Sequence, residues 1–304
     1  MNAFHLPSGT RLSHVHLRTA DLADILEFYE KVIGMTLVDR RNSGAALAAN
    51  AQEHAFLFFS ESRKAVPQIH RAAPLAHFSI CLPTRVDLTA CLRRLFAVRY
   101  PIIGAYDHGT GASIHLIDPD GNGVELYANA ARFPWPIEKD RMHVTQMESK
   151  MDEWLTIGNG KAIPKHLPLK TRLGQINLHV ADLSETERFF HRFLGFDVVA
   201  RLFHCVTFFG TADHKLDSLL NTWAGRMQTV ENSVGLISYG LKVPKPGAFV
   251  DLVSRAQVFG YEAQSVGHAS KIRDPNGKCL QLGEASQVQP LVPDTQGDGL
   301  CVIS

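Results

Sequence analysis

The feature that most constrains this chain is an internal repeat. The stretch RLSHVHLRTADL, which begins at Arg11, returns as RLGQINLHVADL from Arg172, an offset of 161 residues without a gap. The same offset carries EFYEKVIGM (Glu27 to Met35) onto RFFHRFLGF (Arg188 to Phe196). A duplicated unit has the same folding requirements in both copies, so positions where the copies differ point to what only one of them does. Each copy reads as a strand, an Ala-Asp-Leu turn with Asp21 or Asp182 as N-cap, an amphipathic helix closed by Gly34 or Gly195, and then apolar strands. A second related pair follows: HFSICLPTRVDLTACLRRLF before IHLIDPDGNGVELYA, and SYGLKVPKPGAFVDLVSRAQVF before KIRDPNGKCLQLGE. The two Asp-Pro turns join strand pairs and place Gly121 and Gly277 at positive φ. The expected class is α+β, with four βαββ-like modules, two per domain.

The pattern breaks between Arg132 and Lys170, where FPWPIEKDRMH and GKAIPKHLPLK are rich in proline and charge. The expected organisation is a first domain over residues 1–134, a connection over 135–170 in which MDEWL forms a helical turn, a second domain over 171–287, and a C-terminal tail over 288–304 that is extended over the surface or loosely ordered. A length of 304 residues, 45% of them hydrophobic and 20% charged, suits two globular domains. A net charge of +1 gives no electrostatic basis for nucleic acid or an anionic membrane surface. The N-terminus has no basic region followed by an apolar one, and no apolar run is long enough to span a bilayer. The chain therefore reads as cytoplasmic, with small molecules or protein as partners. Cys81, Cys91, Cys205, Cys279 and Cys301 are odd in number and contain no Cys-x-x-Cys pair, which predicts free thiols rather than disulfides or a thiolate zinc site.

Alternate strand residues share a face, which groups His14, His16 and Arg18 against Val15 and Leu17. The same rule groups His77, Ser79 and Cys81, and separately Gly123, Glu125 and Tyr127. A curved sheet would then bring His14, His77 and Glu125 into one concavity. Two imidazoles and a carboxylate suit a divalent first-row metal that keeps open positions for water, substrate or oxygen. Taken singly, each of these residues is more often a satisfied polar group than a ligand. In the second copy the three positions are Gln175, Ser238 and Gln281. This concerted difference predicts one metal-binding domain and one structural twin lacking metal ligands.

The stretches HVHLRTADLADILEFYEKVIGM, AHFSICLP and DPDGNGVELYA resemble the vicinal oxygen chelate superfamily, which includes glyoxalase I, fosfomycin-resistance proteins and extradiol ring-cleavage dioxygenases. The resemblance runs through Gln287. It implies four βαβββ modules paired into two domains with U-shaped mixed sheets around a metal, and its ligand positions match His14, His77 and Glu125 one by one. Phe58 stands near the place where glyoxalase I carries a fourth ligand, a carboxylate, and four modules are more than fosfomycin-resistance proteins have. The chain therefore resembles the two-domain catechol 2,3-dioxygenase type most. That likeness implies Fe(II), with Mn(II) able to substitute, and O2-dependent cleavage of a catechol-like aromatic diol. The alternatives are a glyoxalase-like isomerase or lyase that consumes no O2, and a non-catalytic ligand-sequestering protein. By the same resemblance His108 and His115 lie beside the substrate, His115 standing where Tyr is usual, and His54 lies close to bound oxygen. These three compete for the acid-base role, and His16, Arg18, Phe56, Phe58 and Tyr127 line the substrate pocket. Typical two-domain extradiol enzymes keep their metal in the C-terminal domain, whereas this triad is N-terminal. Association into a homo-oligomer through exposed strand edges is a further expectation.

Overall fold

The computed structural model describes residues 4–68, 75–107, 111–129, 137–138, 141–142, 145–146, 151–157, 161–202, 205–211, 216–222, 232–266 and 269–284. The first module runs β1 (Arg11–Thr19), α1 (Leu22–Glu27), β2 (Thr36–Arg40), β3 (Gly44–Ala48) and β4 (Leu57–Glu61). The second runs β5 (Leu75–Leu82), α2 (Arg85–Ala97), β6 (Gly104–Asp107), β7 (Gly111–Ile117) and β8 (Gly123–Asn129). The connection contains β9 (Ile137–Glu138), β10 (Arg141–Met142), β11 (Thr145–Gln146) and α3 (Met151–Thr156), the last being the helical turn expected at MDEWL. The third module is β12 (Arg172–His179), α4 (Leu183–Glu187), β13 (Asp197–Leu202), β14 (Val206–Gly210) and β15 (Leu216–Asn221). The fourth is β16 (Gly235–Val243), α5 (Pro246–Phe259), β17 (Ala263–Val266), β18 (Ala269–Arg273) and β19 (Cys279–Glu284). The C-terminal tail lies outside the described residues.

Local chemistry explains the elements. The Asp21 carboxylate accepts from Ala23 N at 2.9 Å and Asp24 N at 3.1 Å, and Asp182 accepts from Glu185 N at 3.0 Å, satisfying helix N–H groups that have no other partner. Both helices then widen into a π-helical turn, Phe28–Ile33 and Arg188–Leu194, before Gly34 and Gly195 end them at φ 90° and 88°. The π turns are invisible to hydrophobic periodicity, because the apolar face continues through them. Gly121 and Gly277 take the positive φ their turns require. Cys81, Cys91, Cys205 and Cys279 are free thiols, and no helix among the described residues is long and apolar enough to cross a membrane.

The strand order departs from the expected pairing of modules. One sheet of eight strands runs β17-β18-β19-β16-β1-β4-β3-β2, and another of nine runs β11-β6-β7-β8-β5-β12-β15-β14-β13. The first module therefore shares a sheet with the fourth, and the second with the third. The seams are antiparallel, β1 with β16 and β5 with β12, and each carries two register irregularities. The physical reason the sequence misleads is plain: any module's first strand offers the same ladder of N–H and C=O groups, and alternation identifies the face of a strand but not its neighbour. The apolar faces of both sheets meet the helices in one core that includes Val15, Leu17, Tyr29, Phe78, Phe189 and Leu280.

This topology is open to a direct test. Arg11 and Lys242 lie directly opposite each other across the β1–β16 seam, where Cα atoms of antiparallel partners are about 4.5–5.5 Å apart, within disulfide range. An Arg11→Cys/Lys242→Cys variant should form a cross-link on mild oxidation, read by peptide mass spectrometry. Failure to form it would contradict the pairing of the first module with the fourth.

Candidate functional site

The site begins with strand register. Pairing of β5 with β8 places Ser79 opposite Glu125, and pairing of β7 with β8 places His115 opposite Glu125. Directly opposed residues point to the same side of a sheet, so the Glu125 carboxylate is approached from both neighbours. Ser79 Oγ donates a short hydrogen bond to Glu125 Oε2. His77 Nε2 lies 3.7 Å from Oε2, and His115 Nε2 lies 3.5 Å from Oε1. The two imidazoles meet edge to face with centroids 5.5 Å apart, and Tyr106 packs on His115 at 5.1 Å. Beside them opens a pocket of about 190 Å³, lined by His77, His115, His179, Leu75, Ile103 and Ile117 among others. Imidazole and aliphatic side chains alternate along its lining, Leu75 next to His77 on β5 and Ile117 next to His115 on β7.

The third module completes this face. Asn177 lies opposite His77, with Nδ2 3.5 Å from His77 Nδ1, and its Oδ1 accepts from Asn221 Nδ2 at 2.8 Å. Gln175 is buried on the irregular stretch of β12 between Leu173 and Ile176, at the repeat position of His14. Tyr127 is buried two residues beyond Glu125, and Gly174 makes room for it, since a Cβ there would run into the phenol ring. Burial pushes the Tyr127 hydroxyl well up, so it stays protonated at neutral pH.

The expected metal triad divides between the sheets. His14 sits on the eight-stranded sheet, fully buried, with Nδ1 3.0 Å from Ser13 Oγ and Phe58 edge-on at 5.8 Å. Gly240 stands opposite, and only a residue without Cβ leaves space for the imidazole. His16 Nε2 is 2.8 Å from Ser60 Oγ, and Arg18 donates to the Ser233 carbonyl at 3.3 Å. Burial pushes His14 down to about 3, helped by His16, and pushes His16 down to about 4, helped by the charges of Arg18 and Lys271. Of the residues expected to form the substrate pocket, His16, Arg18 and Phe58 follow His14 onto this sheet, while Phe56 enters the apolar core. His54 is exposed on the stretch before β4, and His108 lies outside the described residues. Asn177 and His179 bring polar groups beside His77 that strand alternation alone does not reveal, because it leaves the neighbour of β12 unassigned. The signal that could have found them, an alternating row of polar residues along β12, was there but had no assigned neighbour.

The residues that remain together fit a metal by donor type. His77, His115 and Glu125 offer two imidazoles and a carboxylate, and burial pushes His77 down to about 4, which leaves it neutral and able to ligate near pH 7. Both imidazoles lie within 3.7 Å of the carboxylate, but among the described residues no group of three or more His, Cys, Asp or Glu side chains is placed so that it could hold a metal ion as the side chains stand. The fit is therefore one of chemistry and proximity.

The buried imidazoles also set an acid limit on stability. An unfolded chain takes up protons at His14, His16 and His77 below the ordinary value of 6.5, whereas the folded chain does not until about 4 or lower. Stability must fall as pH drops through that window. Asp118, pushed up by burial to about 7, works in the opposite direction, as do Asp120 and Asp274 by smaller amounts, but three imidazoles are displaced strongly against that one carboxyl. Thermal midpoints recorded from pH 6.5 down to about 4 should decline steadily, and a flat profile would contradict the burial of these rings as neutral groups.

Comparison with known proteins agrees with this architecture. Residues 11–126 match the glyoxalase/bleomycin resistance protein/dioxygenase superfamily. A catechol-2,3-dioxygenase of Bacillus subtilis (strain 168) is 31% identical over 282 residues, covering 90% of this chain and 96% of that one. Among solved structures, a putative dioxygenase from Bacillus subtilis superposes with a TM-score of 0.64 at 12% identity, covering 91% of this chain and 86% of that one. Glyoxalase I from Zea mays superposes with a TM-score of 0.57 at 15% identity, covering 91% and 93%. With four α+β modules, two mixed sheets and a relative matched along nearly its whole length, the chain belongs to the glyoxalase/bleomycin resistance protein/dioxygenase superfamily.

Proposed function

We propose that the chain is a metal-dependent extradiol dioxygenase that cleaves a single-ring, catechol-like diol with O2 in the cleft of the nine-stranded sheet. The observation that carries this reading is the meeting of two imidazoles on one buried carboxylate beside a pocket lined by both imidazole and aliphatic side chains. A set of two histidines and one carboxylate with open positions is the signature of non-haem Fe(II) oxygenases, and the catechol-2,3-dioxygenase relative supports that chemistry. Fe(II), for which Mn(II) could substitute, would be held by His77 and Glu125 with His115 as third donor and without His14. When bound, the ion would orient the diol and O2 and pass electron density between them.

The protein groups supply the rest. Ser79 holds Oε2 of Glu125, leaving Oε1 toward His115. Leu75 and Ile117 give the pocket apolar surface for the ring, while His179 and His115 in the same lining are the groups able to hold or move the diol protons. Tyr127, protonated throughout the working range, can serve the site as a hydrogen-bonding hydroxyl but not as a phenolate base.

One observation favours a second reading, a glyoxalase-like isomerase that consumes no oxygen. If the Gln175 amide rather than His115 is the third donor, the set is richer in oxygen and suits an ion without redox work. An oxygen electrode with a panel of catechols separates the two. Uptake coupled to a yellow ring-opened product supports dioxygenation; turnover without uptake supports the isomerase; binding with neither supports sequestration. His115→Gln should cost about 10²–10⁴-fold in kcat if it ligates or moves a proton, and near-normal turnover would remove it from the mechanism. Metal analysis after anaerobic purification should find iron lost from Glu125→Ala and kept in folded His14→Ala. Loss from both would restore His14 as a ligand and contradict the placement of the site.

A further inference from the structure

The two Asp-Pro turns are held by a tyrosine hydroxyl that comes from different elements. In the second module Tyr29, from the π-helical turn of the first module, donates to Asp118 Oδ2 at 2.9 Å. In the fourth, Tyr239 on β16 donates to Asp274 Oδ2 at 3.0 Å. All four side chains are buried. The repeat offset of 161 carries Tyr29 onto Phe190 and Phe78 onto Tyr239. Each half therefore has one tyrosine and one phenylalanine at this pair of positions, in exchanged order. The Tyr29 and Phe78 rings stack with centroids 6.4 Å apart, so in the first half the two positions are neighbours. The hydroxyl has been kept once per half while its source moved, which is what a requirement of the turn, rather than of either ring position, would produce.

Asp118 governs a turn that matters to the site. It accepts from Asn122 N at 2.8 Å and from Asn122 Nδ2 at 2.9 Å, its N–H donates to the Asn122 carbonyl at 2.9 Å, and Gly121 N donates to its carbonyl at 2.9 Å. Gln68 Nε2 reaches Asn122 Oδ1 at 2.8 Å. The turn closes the β7–β8 hairpin in the register that puts His115 opposite Glu125. A slip of one residue would send one partner to the opposite face.

We infer that Tyr29 is a positioning residue for the candidate site: its hydroxyl, delivered from the first module, locks the β7–β8 turn and so keeps His115 and Glu125 on one face. Burial leaves the Asp118 carboxyl high, at about 7, so the carboxylate depends on each hydrogen bond it receives. The inference uses the proposed metal site for only one of its two readouts.

The test compares the full-length wild type with Tyr29→Phe and with Tyr29→Phe/Phe78→Tyr, which returns the hydroxyl from the position the fourth module uses. Amide hydrogen exchange in residues 118–125 should quicken about 10-fold in Tyr29→Phe, with the β18–β19 hairpin unchanged, and the double variant should return to within about threefold of wild type. Fe(II) affinity, measured anaerobically, should fall about 10-fold and recover in step. Unchanged exchange in Tyr29→Phe would overturn the inference, as would a folded double variant that recovers neither quantity. If Tyr29→Phe alone does not fold, a folded double variant with wild-type exchange supports the inference, and an unfolded one overturns it. A wild type that binds no iron and consumes no oxygen would sink the proposed function, while the exchange data would still decide the role of Tyr29.

Discussion

The backbone ladder between first strands of different modules decides nearly everything else in this molecule. A single βαβββ module has one apolar face that its helix covers and a first strand whose outer edge would otherwise expose unpaired N–H and C=O groups. Joining β1 to β16 and β5 to β12 satisfies those groups and makes two broad sheets from four small ones. It also determines which polar faces look at one another. Glu125 shares its face with His77 and with Asn177, from a module some 52 residues further along the chain, and not with His14 from the module next to it.

The division leaves the two polar faces electrostatically unlike. On the nine-stranded sheet a carboxylate lies among imidazoles, a serine hydroxyl and amides, which is a set of groups able to balance a bound cation. On the eight-stranded sheet the neighbours of the buried pair His14 and His16 are Arg18 and Lys271, and both imidazoles are held neutral. Among the described residues no carboxylate balances a cation there, although His14 Nε2 is buried without a hydrogen-bond partner. The repeat places homologous strands in both sheets, yet a few substitutions, Gln281 at the position of Glu125 foremost, separate what the two faces can bind.

Much of this was legible in the sequence, and the parts that were not have identifiable causes. Asp21, Asp182, Gly34, Gly195, Gly121 and Gly277 act through local geometry, so their roles as caps and turn residues are visible from neighbouring residues alone. Strand alternation grouped His77 with Ser79 and Glu125 with Tyr127, and the structure keeps those groupings. What alternation lacks is any statement of which strand lies next to which. The triad His14, His77 and Glu125 required the first two modules to share a sheet, and the amides of β12 looked idle because their neighbours were assigned elsewhere. His54 illustrates a different limit: its period-two spacing with Phe56 and Phe58 holds only where the backbone is extended, and β4 does not begin until Leu57.

The claim on which the account stands is that the chemistry belongs to the face built by the second and third modules. Crystals grown anaerobically with Fe(II), measured at the iron absorption edge, locate the ion without reference to activity. The account predicts one anomalous peak per chain, bounded by His77 and Glu125 with His115 or Gln175 beside them. A peak coordinated by His14 would contradict it and would require the first module to pair with the second after all.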